Sequence, residues 1–588
     1  MQDNLRSFLE LLKKEGELKV IEALVDPYLE IAEIQRRVVA ESGPALLFTN
    51  VKGSAFSVAT NLIGSRKRVE LVMGDRPEMV IKKAAEAANR LMPLSIKKLW
   101  HERDWLFPLR KTGLRSVSRR SAPVLECLQD PTDLTKLPAL TSWPGDGGPF
   151  VTLPLVYTEH PETGAHNLGM YRIQIKGKDL TGMHWQIHKG GGFHYNAAEQ
   201  KNQALPLTLF IGGPMALTVA AITALPEHIP ELLYASFLMN DKLNLVKAQG
   251  HPHPLIAEAE FAVCGEVPPK IRENEGPFGD HYGYYSLAHP FPVFQVKKVY
   301  HRKNAVFPAT VVGKPRQEDY YIGEWMQELL APLFPLIMPG VRELWNYAET
   351  GYHSLTAAIV RETYSREALA HGFRILGEGQ LSLTKILMLT DVSVNLKDFK
   401  QFFMTTLERF LPERDLIIIG KTSMDTLDYT GRRYNEGSKA IIMGIGEKRR
   451  TLPQAYTGKK LPGIKKIDLY CPGCLTVSGR SYKESPKLGE KLASDKANLG
   501  KWPFVVLVDD VNDARNTSGF LWTVFTRFDP AWDIHAARSV SGNNIEYRFP
   551  IVIDARMKPW YPDELVSDKA VAKRVDKRWK EFSDFKSS

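Results

Sequence analysis

Apolar residues at Leu5, Phe8, Leu9 and Leu12 recur every three or four positions and end at Gly16, which predicts an amphipathic helix with a defined stop. The same spacing predicts helices over Leu29–Ser42 and Arg76–Leu91, and the short apolar run Ala45–Phe48 predicts a strand between them. Prolines then crowd the chain at Ala122-Pro123, Asp130-Pro131, Leu137-Pro138 and Trp143-Pro144, marking a crossing between regions. From Phe150 to Val312 the pattern changes to short β-type runs, among them Met170–Ile175, Leu205–Ile211, Ala257–Val263 and Val293–Val299. Beyond Gly323, helices are expected at Glu324–Leu333 and Leu355–Ala358. Apolar runs at Ile386–Leu389, Leu416–Ile419 and Phe504–Val508 then alternate with helical stretches, as in an α/β domain. No internal repeat or low-complexity segment stands out.

The expected fold class is therefore α/β, multidomain (α+β in the wider sense), divided at 1–115, 116–322 and 323–588. Within the last of these, Lys421–Lys501 is rich in Gly, Lys and Arg and reads as an inserted or elaborated segment. One stretch tempts a membrane reading: Asn202–Pro226 carries no charge and exceeds the ~20 residues a spanning helix needs. Pro206, Gly212, Gly213 and Pro214 divide it into a buried strand, Leu205–Ile211, and a small-residue helix, Met215–Thr223. No membrane span is expected there, and the charged start of the chain does not read as a secretory signal.

Composition refines this picture at two points. The 77 Lys+Arg exceed the 67 Asp+Glu to give a net charge of +10 over 588 residues, which raises nucleic acid as a partner. The charge is dispersed, however. Its densest patches are Ser65–Arg68, Lys97–Arg120 and a tail in which Asp568, Lys569, Lys573, Arg574, Asp576 and Lys577 alternate in sign, as on a solvated helix. No nucleic-acid-binding motif accompanies these patches, so no nucleic acid is expected. The four cysteines cannot form a disulfide scaffold and point to a reducing, cytoplasmic setting. Two of them form Cys471-Pro-Gly-Cys474, while Cys127 and Cys264 are lone and distant, so structural thiols are favoured over a zinc or redox site.

The chemistry-bearing residues gather in the middle region. His166-Asn167-Leu168-Gly169-Met170-Tyr171-Arg172 is followed by Met183-His184-Trp185-Gln186-Ile187-His188-Lys189 and a Gly triplet, where backbone N–H groups can approach an anion. Read alone, that Gly-rich turn is equally a hairpin. A second cluster, Glu273 to Tyr285, brackets a Gly-Pro-Phe-Gly turn with the carboxylates Glu275 and Asp280 among aromatic rings, surroundings that raise a carboxyl pKa and suit proton donation. A third stretch, Val311–Asp319, is a polar loop. His194, His281 and His301 read as structural or pocket-lining residues.

Taken in order, these motifs resemble the UbiD family of reversible decarboxylases. The similarity is colinear from the opening Leu-Arg-Ser-Phe-Leu-Glu helix to Asp554-Ala-Arg-Met-Lys558. It implies an N-terminal α/β domain, a split-barrel middle domain binding prenylated FMN, and a C-terminal α/β domain that dimerises. A flavin prenyltransferase would supply the cofactor. Divalent metal (Mn2+ or Mg2+) and K+ would hold the flavin phosphate, with metal ligands falling on Asn167, His188 and Glu231. Read without the resemblance, Glu231 is simply an acid at a helix start after Pro230. Cofactor contacts carry over to Met170, Tyr171, Arg172, His184, Trp185, Gln186, Lys189 and Gly190, and more weakly to Lys558.

The catalytic set implied is Arg172, Glu275 and Asp280: Arg172 holds the substrate carboxylate, Glu275 orients it, and Asp280, with an elevated pKa, protonates the carbon left behind. The expected substrate is an aromatic or α,β-unsaturated carboxylic acid, in the first place a hydroxybenzoate- or hydroxynaphthoate-type quinone precursor. The alternatives are carboxylation of a phenolic or heteroaromatic compound, perhaps as a subunit of a complex, and a basic nucleic-acid-binding protein. A homodimer or higher homo-oligomer is expected.

Overall fold

The structure, a computed structural model, describes residues 3–91, 95–101, 107–186, 189–223, 229–314 and 316–583. The chain divides into two compact units, residues 1–329 with 563–588, and residues 330–562.

The first unit begins with the expected helix, Leu5–Lys14. The Asn4 side chain accepts from the Ser7 N–H at 3.0 Å, and Leu5, Phe8, Leu9 and Leu12 are buried. A four-stranded sheet runs in the order Leu18–Ile21, Ala45–Phe48, Ser57–Thr60, Val306–Pro308. Its last strand comes from the middle region, so the divisions expected at 1–115 and 116–322 share a sheet. Buried Glu318 ties them further, accepting from the N–H groups of Asn61 (3.1 Å) and Ile63 (3.0 Å) and from Thr310 Oγ1 (2.7 Å). A carboxylate so far from water must be satisfied by such donors.

The strand-rich core is an antiparallel path of Leu180–Gly182, His289–His301, Phe261–Val267, Leu205–Ile211, Pro154–Glu159 and His166–Gly169. Arg272–Glu275 and Cys127–Gln129 add to the long strand His289–His301. Among the described residues the path is open, since its two end strands do not pair with each other. The run expected at Met170–Ile175 is broken after Gly169 and resumes only at Ile173–Gln174; the run expected at Ala257–Val263 lies at Phe261–Val267. Strand Leu205–Ile211 and helix Met215–Ile222 divide the uncharged stretch as expected, and no helix among the described residues is long and apolar enough to cross a membrane.

The tail, placed by sequence in the C-terminal domain, returns to the first unit. Helix Lys569–Ser583 buries Val571, Val575 and Phe582, and its Arg578 and Asp576 pair with Glu30 and Arg37 of helix Glu30–Ala40. Its sign alternation marks the solvated face, while a narrow apolar stripe gives it a docking face.

In the second unit, Leu355–Val360 is a strand and not the expected helix. It is central in its sheet and buried at every position, so it shows no alternation, and its Ala pair mimics a helix. The unit also contains a repeat that the sequence does not announce. One sheet runs Val341–Asn346, Leu355–Val360, Ile386–Thr390, Glu436–Gly444, Leu416–Ser423; the other runs Ile464–Cys471, Cys474–Gly479, Phe504–Val508, Asn544–Asp554, Ile534–Ser541. In both, successive pairings are antiparallel, parallel, parallel, antiparallel. Both also repeat a local signature before the outer strand. Short helices Pro412–Asp415 and Pro530–Asp533 each end on an Asp that accepts the N–H of the residue before the proline, at 3.0 Å in Leu411 and 2.8 Å in Asp529. The stretch 421–501 is the joint between the halves, supplying the strand Glu436–Gly444 and the first hairpin of the second sheet. Cys471 and Cys474 flank that hairpin's turn, buried and unbridged, with Gly473 at φ +85°. Burial pushes the Cys471 thiol up to about 12.

Candidate active site

Two extended segments of the first unit are cross-linked residue by residue. The Tyr171 and Trp185 rings meet edge-on at 5.1 Å, while their neighbours Arg172 and His184 share Glu275. The pairing places one cluster around Tyr171 and Trp185 and another around Arg172.

In the second cluster, Arg172 Nε donates to Glu275 Oε1 at 2.9 Å and Nη2 to Oε2 at 3.0 Å. Nη1 donates to Asp280 Oδ2 at 2.7 Å, and Nη2 also reaches Ser286 Oγ at 2.9 Å. The guanidinium lies over the Phe278 ring, 5.1 Å from its centroid. Glu275 has no exposed surface. Burial alone raises its carboxyl, but the hydrogen bond from His184 and the charge of Arg172 outweigh burial and hold it at about 2. His184 is pushed down by burial and by Arg172, and because the Glu275 carboxylate can only accept, the hydrogen between them sits on His184 Nδ1, 3.1 Å from Glu275 Oε2.

Asp280 departs from expectation. Burial acts to raise it, but its hydrogen bond to His281 and the charges of His281 and Arg172 prevail and hold the carboxyl well below its ordinary range. The sequence showed the apolar rings but not the two basic side chains, Arg172 and His281, that converge here. In the substrate-free protein Asp280 is a carboxylate.

The acid-bearing turn is held by residues that the motif reading missed. Gln174 accepts from Gly276 N (3.0 Å) and donates to Gly147 O (2.8 Å), and Ser286 accepts from Phe278 N at 3.2 Å. Asp146 accepts from Gly279 N at 2.7 Å through one oxygen and from Ser142 and Trp143 N–H through the other. Burial pushes Asp146 up to about 6, against those three N–H groups. Trp-Pro-Gly-Asp was visible in the sequence, but nothing there connects it to a turn more than a hundred residues away. The tail completes the support: Leu565 N donates to Gly283 O at 3.0 Å, Tyr285 N to Asp563 O at 3.1 Å, and Lys314 pairs with Glu564 at 2.8 Å.

The first cluster contains Asn167, Tyr171, Trp185, Lys189, Gly190 and Glu231. Tyr171 Oη accepts from Gly191 N at 3.1 Å, and Glu231 Oε2 accepts from Leu168 N at 3.2 Å, so the Glu231 carboxylate reaches the backbone beside Asn167. Glu231 opens the helix Glu231–Met239, and burial pushes its carboxyl up. Gly190 opens the helix Gly190–Gln200 after Lys189, and a Cβ there would lie 2.3 Å from Asn167 Oδ1. Met170 is half-buried against the neighbouring core, and Gln186 is half-buried beside Trp185. His188 lies outside the described residues. Among the described residues no group of three or more His, Cys, Asp and Glu forms a metal site. Lys558 lies in the second unit, where its ammonium donates to the carbonyls of Arg527 (2.7 Å) and Asp554 (2.6 Å) and stands 3.2 Å from Asp533.

Comparison with known proteins shows the family of the chain. Three domain profiles of 3-octaprenyl-4-hydroxybenzoate carboxy-lyase match in order: the N-terminal domain over 9–88, the Rift-related domain over 115–315, and the C-terminal domain over 320–444 and 449–555. A Chlamydia muridarum protein is 48% identical over 583 residues, covering 98% of this chain and 99% of its own. A Chlamydia pneumoniae protein named as a subunit of 4-hydroxybenzoate decarboxylase is 48% identical over 577 residues, 98% of this chain and 97% of that one. The vanillic acid decarboxylase of Sedimentibacter hydroxybenzoicus in closed form superposes with TM-score 0.67 at 25% identity, covering 78% of this chain and 97% of the other. The UbiD-class enzyme HmfF of Pelotomaculum thermopropionicum, solved with FMN, gives 0.63 at 26%, covering 78% and 98%. The matched domains and the fold thus define a carboxy-lyase. The chain belongs to the UbiD family.

Proposed function

We propose that this protein is a prenylated-FMN-dependent decarboxylase of an aromatic or α,β-unsaturated acid, with a hydroxybenzoate- or hydroxynaphthoate-type acid as its leading substrate. The observation that carries this reading is the convergence of Glu275 and Asp280 on one guanidinium, that of Arg172. HmfF has been solved with prFMN, and the Chlamydia pneumoniae relative is named for 4-hydroxybenzoate.

The first cluster fits a metal-held flavin phosphate. Asn167 Nδ2 and Trp185 Nε1 are buried polar groups without a hydrogen-bond partner among the described residues, and Gly190 leaves no Cβ between Asn167 and the helix start. Asn167, Glu231 and His188 would hold Mn2+ or Mg2+, oxygen and imidazole donors suited to such ions, with K+ beside the phosphate. A cation would offset the burial that raises Glu231. When bound, the flavin supplies an electron-accepting centre for the pair left as carbon dioxide departs.

The protein's own part is binding and proton delivery. Arg172 receives the substrate carboxylate, and Glu275, fixed by two bonds, keeps the guanidinium planar to it. A carboxylate arriving on Arg172 competes with Asp280 for its charge and adds a like charge nearby, so both effects lift the Asp280 carboxyl toward holding a proton. Asp280 then protonates the carbon.

The same residues serve the reverse reaction, so carboxylation of a phenolic compound is the second reading. The Chlamydia pneumoniae relative is named as one subunit of its decarboxylase, which favours assembly with other chains. A homodimer or higher homo-oligomer, a cytoplasmic setting and cofactor supply by a flavin prenyltransferase complete the proposal.

The test is co-expression with a flavin prenyltransferase and manganese, followed by a carbon dioxide release screen over phenolic, naphthoic, cinnamic and heteroaromatic acids. A coloured, metal-containing protein that releases carbon dioxide from 4-hydroxybenzoate is expected. A colourless, metal-free and inactive protein overturns the proposal.

A further inference from the structure

Asp280 is enclosed on both oxygens. Oδ2 accepts from Arg172 Nη1 at 2.7 Å, while Oδ1 accepts from the His281 backbone N–H and faces the His281 ring Nδ1, both at 2.8 Å. The Asp280 side chain is 13% exposed, whereas that of His281 retains 26%. Of the groups that bond Asp280, the amide and the guanidinium keep their hydrogens at any working pH. An imidazole is the one group among them whose ordinary chemistry includes exchanging a proton near neutrality.

The groups facing His281 define the rest of the route. Asp280 and the Tyr282 ring, 5.0 Å between centroids, belong to its own loop, and Arg172 is reached through Asp280. Asp319, in the first turn of the helix Glu318–Leu330, is pushed up by burial and by the charge of Asp280, against the charge of His281. The carboxylate that the imidazole meets directly is that of Asp280.

We propose that His281 is the proton relay to Asp280: its Nδ1 passes a proton to Asp280 Oδ1, and its ring recovers one from water. The inference rests on the decarboxylation reading and on the role of Asp280 within it. The step balances. The carbon keeps the electron pair of the broken C–C bond as carbon dioxide leaves and takes a proton from Asp280. Asp280, again a carboxylate, takes the Nδ1 proton of the imidazolium, and Nδ1, the basic nitrogen of the ring now left with its hydrogen on Nε2, takes one proton from solvent. Each carbon dioxide released consumes one proton. His281 acts through Asp280 and is a positioning residue. A short bond already formed lets the proton move without reorganising the loop.

The experiment compares the flavin-loaded wild type with H281A and H281Q, using 4-hydroxybenzoate for carbon dioxide release and phenol for deuterium uptake from D2O. Unchanged flavin content is expected in all three. H281A should lose at least tenfold in steady-state release and in deuterium uptake, lose the neutral limb of its pH profile, and regain both rates with added imidazole. H281Q, whose site stays filled, should not be rescued. A second readout needs no cofactor: with ring-15N-labelled histidine, the resonance missing from H281Q should titrate at lower pH in D280N than in wild type, because the carboxylate favours the imidazolium. Wild-type rates and pH profile in H281A overturn the relay. So does a loss that imidazole leaves unmoved with the pH profile intact, or a histidine titration that D280N does not shift. A wild type that neither releases carbon dioxide nor exchanges deuterium overturns the decarboxylation reading, and the relay falls with it.

Discussion

Arg172 and Glu275 stand 103 positions apart in the chain and meet as a two-pronged pair, Nε to Oε1 at 2.9 Å and Nη2 to Oε2 at 3.0 Å. Breaking such a pair from one side leaves a buried charge, at a cost on the order of 3 kcal/mol. Arg172→Ala should therefore lower the denaturation midpoint as well as abolish activity. His184 keeps one bond to Glu275 and limits the loss. The double variant R172L/E275L removes both charges and should be more stable than R172A. A chemical denaturation series decides it, and an R172A midpoint equal to wild type would contradict the pair's structural role.

Acid should destabilise the first unit in two stages. Burial lowers His194 and His251 to about 4 and His253 to about 3, with the neighbouring histidines or lysines adding to it, from an ordinary value of 6.5. His251 Nε2 and His253 Nδ1 share Thr208 Oγ1 at 2.6 and 3.2 Å, and His194 Nδ1 lies 2.9 Å from Thr158 Oγ1. The native state keeps these rings neutral while the unfolded chain protonates them. Their contribution is thus complete above pH 6.5 and lost as pH falls toward 3, at up to ~1.4 kcal/mol per pH unit per ring. Glu275, lowered from 4.5 to about 2, contributes above 4.5 and fails below it. Unfolding free energy should therefore begin to fall near pH 6.5, before the carboxylates titrate, and His253→Asn should flatten that upper slope. A flat profile between pH 6.5 and 5 would refute the first stage.

Gly190 offers a test of the first cluster. A Cβ at this position would come within 2.3 Å of Asn167 Oδ1 and force that side chain away. Gly190→Ala should retain the circular dichroism of the wild type, since the helix Gly190–Gln200 gains a better helix former. Flavin absorbance and bound manganese should fall together, by about tenfold or more for a loss of ~1.4 kcal/mol. Full loading of the alanine variant would remove Asn167 from the cofactor site.

What the sequence disclosed depended on whether the interaction was local. The opening helix and the strands at Ala45–Phe48, Leu205–Ile211 and Phe504–Val508 follow from short-range periodicity and lie where the pattern put them. Arg172, Glu275 and Asp280 stood out because their motifs are dense in polar residues and glycine. Their mutual charge state did not, since it depends on His184 and on His281 facing inward. The duplicated sheets of the second unit were hidden for a related reason. The copies share a backbone path and a Pro-x-x-Asp turn, Pro412–Asp415 and Pro530–Asp533, but few identities, and buried parallel strands accept any β-branched or aliphatic residue.

Asp146 is a separable support of the acid loop. Its two oxygens accept three backbone N–H groups, the Gly279 amide beside Asp280 among them. Asp146→Asn keeps the shape but turns one acceptor into a donor against an N–H, so one or two bonds are lost at ~1–3 kcal/mol for each group left unsatisfied. kcat should drop on the order of tenfold to a hundredfold as Asp280 shifts, with flavin content unchanged. An unaltered kcat would show that the Gly276–Asp280 turn, which Gln174 and Ser286 also hold, needs no anchor at Gly279.

The tail should matter to activity although it carries none of the catalytic groups. Leu565 is 4% exposed and packs with Trp143 over Gly279 and Gly313, glycines at which any Cβ would strike one of those two side chains at 3.0 Å or less. Its N–H bonds Gly283 O on the far side of the same loop. Leu565→Ala would open a cavity behind the acid turn, worth ~2–5 kcal/mol in a core of this packing. The tail helix stays docked through Arg37–Asp576 and Arg578–Glu30, so the variant should fold, with its melting temperature lowered. Because the cavity borders Gly279 and the lost packing faces Asp280's loop, kcat should fall more than KM rises. Glu564→Gln, which weakens the half-exposed pairing to Lys314, should lose less than L565A in both respects. A Leu565→Ala enzyme with lower stability but an intact kcat would assign the tail to folding alone and detach it from the chemistry of Asp280.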